Sequence, residues 1–281
     1  MLGCEIPPNI DNDMINISEI YIYPVKSLAG IKLQTAQLSQ FGLQHDRRWM
    51  IVDDNGKFIS QREVAKMATI KTAINQGQLT LSYRDEKCQV PLTNEKSQQL
   101  IVTVWKDTFE ASHICSKMDQ WLTGILNQNC RLVYMHSQVQ RPIDPDFAAA
   151  DQFVSFADGF PILLISQASL DDLNKRLDTP ININRFRPNI VVAGTAAFAE
   201  DNWQDLSINE IEYKAVKKCS RCIMPSINQQ TGKQDQLKML ATLSTYRKEH
   251  KKIKFGQNLI YKNADIINNQ PISCGDEIKL K

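Results

Sequence analysis

The stretch Lys217-Lys218-Cys219-Ser220-Arg221-Cys222-Ile223-Met224-Pro225 gathers the residue types best suited to chemistry. Its two cysteines have C-x-x-C spacing, and Lys217, Lys218 and Arg221 flank them. A cation beside a thiol favours the thiolate, because an opposite charge stabilises the ionised form. A thiolate is a nucleophile and a soft metal ligand. On these residues alone four readings stay open: a redox dithiol, half of a zinc site, a disulfide, or two inert buried cysteines. A structural zinc site needs four ligands. Cys4, Cys88, Cys115, Cys130 and Cys274 offer no second close pair, and the histidines show no H-x3-5-H spacing. A thioredoxin-like motif belongs between a strand and a helix early in a βαβ unit. Here a β-rich run, Ile208 to Val216, leads in, and Pro225 followed by Asn228 to Gly232 leads out.

A second set of polar residues recurs at strand ends. Lys26-Ser27 follows one apolar run, Asp46-Arg47-Arg48 precedes another, Asp158-Gly159 a third, and Arg185-Phe186-Arg187-Pro188-Asn189 a fourth. On one rim, a lysine, several arginines and a serine would make an anion site, since the planar guanidinium can donate two parallel hydrogen bonds to a phosphate. Taken singly, each reads as a solvated strand end or a surface ion pair. Arg185 and Arg187 are the exception. Two apart on an extended chain, they face the same way and repel unless an anion or acid sits there. No Gly-x-Gly-x-x-Gly, Walker-type loop or Gly-x-Ser-x-Gly elbow occurs. No histidine has an evident nucleophile partner.

The elements that must hold these residues are mostly strands. Ile17 to Tyr23, Ile31 to Leu38, Thr69 to Ile74, Gln78 to Tyr83 and Ile101 to Trp105 read as strands. Trp49 to Val52 and Lys57 to Ser60 flank Asn55-Gly56 as a hairpin. Ser116 to Leu126 has helical spacing, as does a helix capped by Ser166 with Leu170, Leu173 and Leu177 inward and acids in its first turns. Cys130 to Met135, Phe160 to Ile165, Asn189 to Ala193, Trp203 to Ile208, Ile211 to Val216, Gln257 to Tyr261 and Glu277 to Leu280 are further strands. Leu237 to Arg247 is a third helix, and the basic run Lys248 to Lys254 reads as its solvated end. The polar Gln138 to Ala150 reads as a domain crossing.

The chain has 281 residues, 42% hydrophobic and 23% charged, with a net charge of +2, enough for two modest domains. No block of like charge points to nucleic acid or a membrane surface, and no window reaches a membrane span. Seven cysteines without regular spacing argue for a reducing compartment. Met1 to Ser18 lacks the basic and apolar regions of a signal peptide, so the expected location is cytoplasmic.

Tyr23-Pro24-Val25-Lys26-Ser27, Asp46-Arg47-Arg48-Trp49, Arg185-Phe186-Arg187-Pro188-Asn189 and Cys219-Ser220-Arg221-Cys222, in this order, resemble the MOSC family with its N-terminal β-barrel domain. Within it the chain is similar to the mitochondrial amidoxime-reducing component and its bacterial counterparts. The resemblance implies an α+β, predominantly β fold: a β-barrel-like domain over 17–136 packed on a MOSC β-barrel domain over 137–281, with a few helices. It implies a molybdenum cofactor, with Cys222 as the protein ligand to the metal. Lys26, Ser27, Arg47, Arg187, Asn189, Ser220 and Arg221 would hold the pterin and its phosphate, and Asp158 would stand near the metal and pass protons. Gly159-Phe160 stands where relatives often carry hydroxyl residues. The implied activity is reduction of N-hydroxylated compounds to the N–H compound and water, with oxygen transfer to molybdenum. Some bacterial relatives carry a C-terminal ferredoxin domain; this chain ends at Lys281 without one, so the expected electron donor is a separate protein of ferredoxin, flavin or cytochrome type. The alternative is a molybdenum cofactor carrier or sulfur-transfer module, with Cys222 holding a persulfide.

Overall fold

The computed structural model describes residues 14–92, 98–262 and 270–281. Cys4 and most of the segment read for a signal peptide lie outside them. The described residues are mostly strands, with α-helices at Ser116–Leu126, Gln167–Lys175 and Leu237–Tyr246. The fold class is the expected one, α+β and predominantly β.

The largest sheet runs in the order Ile278–Leu280, Asp205–Ile208, Ile211–Ser220, Lys252–Tyr261, Ile162–Ser166, Ile190–Ala193, Asn16–Ile22, Ile31–Leu33. Its parallel pair among the described residues, Ile162–Ser166 with Ile190–Ala193, is bridged by helix Gln167–Lys175, the crossover that parallel pairing requires. Ser166 caps that helix by accepting from the Ser169 N–H at 3.1 Å, and Leu170 and Leu173 face inward. The helix ends at Lys175, so Leu177 packs from the loop beyond. Asp171 and Asp172 lie past the first turn, and Asp172 pairs with Arg176 one turn on instead of capping the dipole.

The expected boundary between 136 and 137 does not follow the hydrogen bonding. Asn16–Ile22 pairs with Ile190–Ala193, and Thr35–Ser39 pairs with Pro271–Ser273. Ile17, Ile20, Leu38 and Leu43 share one core with Ile162, Ile190, Leu206 and Leu259. The first strand reads as part of the N-terminal stretch only by its position; its apolar face is buried against the C-terminal half. A second core, with Trp49, Leu79, Met118, Leu122 and Leu132, lies under helix Ser116–Leu126.

Three departures bear on the site. Val52 bridges Phe58, but residues 57–60 then leave the hairpin instead of continuing as a strand. Gly56 is obligatory at that turn: its φ is +76°, and a Cβ there would lie 2.2 Å from the Ile101 carbonyl oxygen. Lys248–Glu249 and Lys252–Tyr261 form a second hairpin where a helix end was expected, joined by His250 and Lys251 at positive φ. Strands Glu86–Pro91, Asp107–His113 and Pro271–Ser273 escaped the sequence reading. In Glu86–Pro91 only Cys88 and Val90 turn inward, between charged and polar neighbours that masked the period.

Candidate functional site

Lys26, Ser27, Arg47, Asp158, Arg187, Asn189, Ser220, Arg221 and Cys222 all line one cleft of about 520 Å³. Every residue predicted for the site is therefore in one place, although the chain brings them from five separate strand ends.

The inner wall is cationic. Ser27, Arg47 and Arg187 all take left-handed backbone, with φ of 67°, 51° and 56°. Non-glycine residues rarely adopt it, and at three positions of one wall it reorients side chains into the cleft at a cost in strain. Arg47 and Arg187 stack on the buried Tyr23 ring, 4.7 and 4.1 Å from its centroid. Arg47 is paired with Asp46 and donates to Asn189 Oδ1 at 3.2 Å. Arg187 donates through Nη1 to the Leu28 carbonyl at 2.7 Å, while its Nη2 is buried without a hydrogen-bond partner. Burial lowers Arg187 to about 10, and the neighbouring Arg47 charge adds to the shift. An unpaired buried donor beside a second guanidinium is costly unless an anion joins them. Lys26 is also buried and donates to the Phe156 carbonyl at 2.7 Å and Asp158 at 2.6 Å.

Asn189 and Arg221 serve the backbone. Asn189 accepts from Leu163 N–H and donates to the Tyr21 carbonyl, both at 3.2 Å. Arg221 donates to the Phe255 carbonyl at 2.8 and 2.6 Å and to the Phe186 carbonyl at 3.0 Å. Its guanidinium thereby braces the cysteine loop against the neighbouring strand. Ser220 accepts from Lys254 at 2.9 Å. Arg185 does not share a face with Arg187, because Ile183–Phe186 is a 3-10 turn and not extended chain. The acid it needs is Asp235, at 2.8 Å.

Strand Ile211–Ser220 shifts register between Lys218 and Ser220, and such a bulge re-aims the chain that follows. Cys222 is left exposed to the cleft, whereas Cys219 is half-buried and burial raises its thiol. The flanking lysines do not serve Cys222. Lys218 pairs with Glu249 at 2.7 Å, and Lys217 lies over the Phe147 ring at 4.3 Å. The cation at the sulfur is Arg62, whose Nε–H donates to Cys222 Sγ at 3.4 Å. Arg62 carries no motif in the sequence. Arg141, also missed, is buried and bonds the Ser155 and Ala157 carbonyls at 2.7 and 2.6 Å, which fixes the segment bearing Asp158.

Asp158 itself is exposed to the cleft. Desolvation there opposes its ionisation, but Lys26 and Arg62 outweigh it and hold the carboxyl well below the usual range. Near neutral pH it can accept a proton and has none to give. Burial lowers Lys26 from 10.5 to about 8 against the pull of Asp158. Removing that pull by Asp158→Asn lowers Lys26 further. The cost of the buried ammonium is present below its folded value and disappears as pH rises toward 10.5. Asp158→Asn is therefore expected to lose about 1 kcal/mol of stability near pH 6.5, with a smaller deficit near pH 9.5. Urea unfolding at both values checks this; a deficit independent of pH would remove the Lys26 pair as its cause.

Among the described residues no three His, Cys, Asp or Glu side chains gather to hold a metal. A metal at Cys222 needs its other ligands from a cofactor. The anion cradle and the single soft ligand fit a group that carries a phosphate at one end and metal-binding sulfur at the other.

Fold and cleft define a mainly β protein with a cation-lined pocket that ends at one accessible thiol. The chain belongs to the MOSC-domain family: the MOSC N-terminal beta barrel domain matches residues 14–129, and the MOSC domain matches 151–279. It is 31% identical over 242 residues to mitochondrial amidoxime-reducing component 1 of Mus musculus, covering 82% of this chain and 71% of that protein. To the Homo sapiens protein of the same name it is 30% identical over 290 residues, covering 94% and 82%. It is also 30% identical over 282 residues to the molybdenum cofactor sulfurase of Oryza sativa subsp. japonica, covering 92% of this chain but 34% of that protein. It is thus a MOSC protein whose relatives are molybdenum-cofactor-related. No helix among the described residues is long and apolar enough to cross a membrane.

Proposed function

We propose that the protein is a molybdenum-cofactor-dependent reductase of N-hydroxylated compounds, supplied with electrons by a separate protein. The observation that carries this reading is the unpaired, buried Arg187 Nη2 in the same cleft as the exposed Cys222 thiol. Lys26, Ser27, Arg47 and Arg187 would hold the cofactor's anionic end, and Cys222 would bind the metal. When bound, the cofactor supplies two-electron chemistry and a site that takes oxygen. The balance is N–OH plus two electrons and two protons to N–H plus water. Asp158, exposed at the cleft and paired with Lys26, stays ionised, so solvent protons would reach the site past this carboxylate without being stored on it. Arg221 and Asn189 keep the cysteine loop and the Arg187 segment in register.

A second reading uses Cys222 as a persulfide in a carrier or sulfur-transfer module. The sulfurase relative, matched over nearly this whole chain, favours it. The test is elemental molybdenum and released pterin on protein made with molybdate, then turnover of benzamidoxime with a supplied reductant. Near-stoichiometric metal with turnover is the expected result. Bound cofactor without turnover turns the assignment to the carrier, and absence of both overturns the cofactor reading.

A further inference from the structure

Arg62 belongs to neither the anion cradle nor the metal ligand of the proposed function, yet it is held at the reactive sulfur from three sides. Its Nε–H donates to Cys222 Sγ at 3.4 Å. Its guanidinium lies over the Trp105 ring, 4.6 Å from the centroid, and its Nη2 stands 3.6 Å from Asp158. Trp105 Nε1 donates to the same carboxylate at 3.1 Å, which closes the bracket. The bracket is built deliberately by the backbone. Trp105 sits at φ 56°, a left-handed conformation that a bulky residue rarely takes, in the turn between Gln99–Val104 and Asp107–His113. Phe58 meets its ring edge-on at 5.0 Å. Arg62 comes from the turn in which the Glu63 and Val64 N–H groups bond the Ser60 carbonyl at 3.1 and 2.9 Å. Thus the 58–64 and 105 segments, both from the N-terminal half, reach across the cleft to a cysteine of the C-terminal half. Guanidinium stacked on an indole and fixed by a carboxylate keeps its direction far better than a free side chain.

We propose that Arg62 is a positioning residue for the Cys222 sulfur: fixed by Trp105 and Asp158, it orients the sulfur and sets the charge that a reactant meets on reaching it. The inference rests on the reading of Cys222 as the working sulfur of the site, but not on molybdenum being bound there. It makes anionic reactants the favoured visitors to this sulfur over neutral ones of the same shape.

The test uses full-length, cofactor-free protein and two alkylating probes of similar size, anionic iodoacetate and neutral iodoacetamide. Peptide mass spectrometry gives the rate of each at Cys222. The same thiolate attacks the carbon of either probe and displaces iodide, so their rate ratio cancels the thiolate fraction and reads the charge beside the sulfur. Arg62→Gln is expected to lower the iodoacetate-to-iodoacetamide ratio about fivefold, the order of effect of one nearby charge in a partly solvated cleft. Arg62→Lys should keep most of the ratio. Trp105→Ala removes an exposed ring and leaves the charge, so its ratio should fall partway; it also serves if Arg62→Gln does not fold. An Arg62 with only a structural role changes both rates together and leaves the ratio alone. An unchanged ratio in Arg62→Gln, or in Trp105→Ala where that variant stands in, overturns the inference. Failure of the parent protein to bind molybdenum sinks the proposed function instead, and the ratio still decides this one.

Discussion

Cys222→Ala is expected to lose molybdenum and activity together, whereas Cys219→Ala keeps most of its metal. The two thiols are close in sequence but not in setting. The register shift at the end of Ile211–Ser220 separates them, leaving Cys222 exposed in the cleft and Cys219 half-buried. Burial raises the Cys219 thiol, which disfavours its thiolate. Loss of an outer-shell partner at a metal site costs roughly 10–100-fold in affinity, so loss of the protein's own ligand should exceed about 100-fold. Elemental analysis of both variants, purified alongside the parent protein, gives the comparison. Equal loss in both would mean that the pair acts as a dithiol and would end the single-ligand assignment.

The site was legible in the sequence where chemistry stands at the end of a strongly apolar strand. Lys26-Ser27, Arg187 to Asn189 and the cysteine pair gather in one cleft because the runs beside them fix where each strand stops. The charges around the thiol were misread. Lys217 and Lys218 are near Cys222 along the chain, but the alternation of a strand and the bulge after it send both elsewhere. Arg62 was invisible for the opposite reason. The Asn55-Gly56 turn promised a regular hairpin, and nothing in Phe58 to Glu63 tells that the second arm breaks away toward the cleft. The Arg185-Arg187 pair failed through backbone shape: a 3-10 turn followed by a left-handed residue splits two side chains that an extended chain would align. How the two halves join was not legible, because pairing of Asn16–Ile22 with Ile190–Ala193 is a long-range choice, made by a shared core that no local pattern reports.

Arg187→Ala separates a cofactor cradle from a structural cation. In the protein without cofactor, the substitution removes the bond from Nη1 to the Leu28 carbonyl, which destabilises. It also removes a buried charge with an unpaired Nη2 crowded by Arg47, which stabilises. These contributions oppose each other, so the net change in unfolding free energy is expected to stay within about 1 kcal/mol. Cofactor retention has no such compensation. A charged hydrogen bond to a phosphate is worth roughly 1.5–3 kcal/mol, so retention should fall about 10- to 100-fold. Arg187→Lys keeps a charge but loses the planar fork, and should recover only part of it. Measuring molybdenum content beside urea unfolding of cofactor-free protein resolves the two contributions. Unchanged molybdenum in Arg187→Ala would remove this residue from the cradle. A large stability loss with parallel metal loss would make Arg187 a fold residue whose effect on the cofactor is indirect.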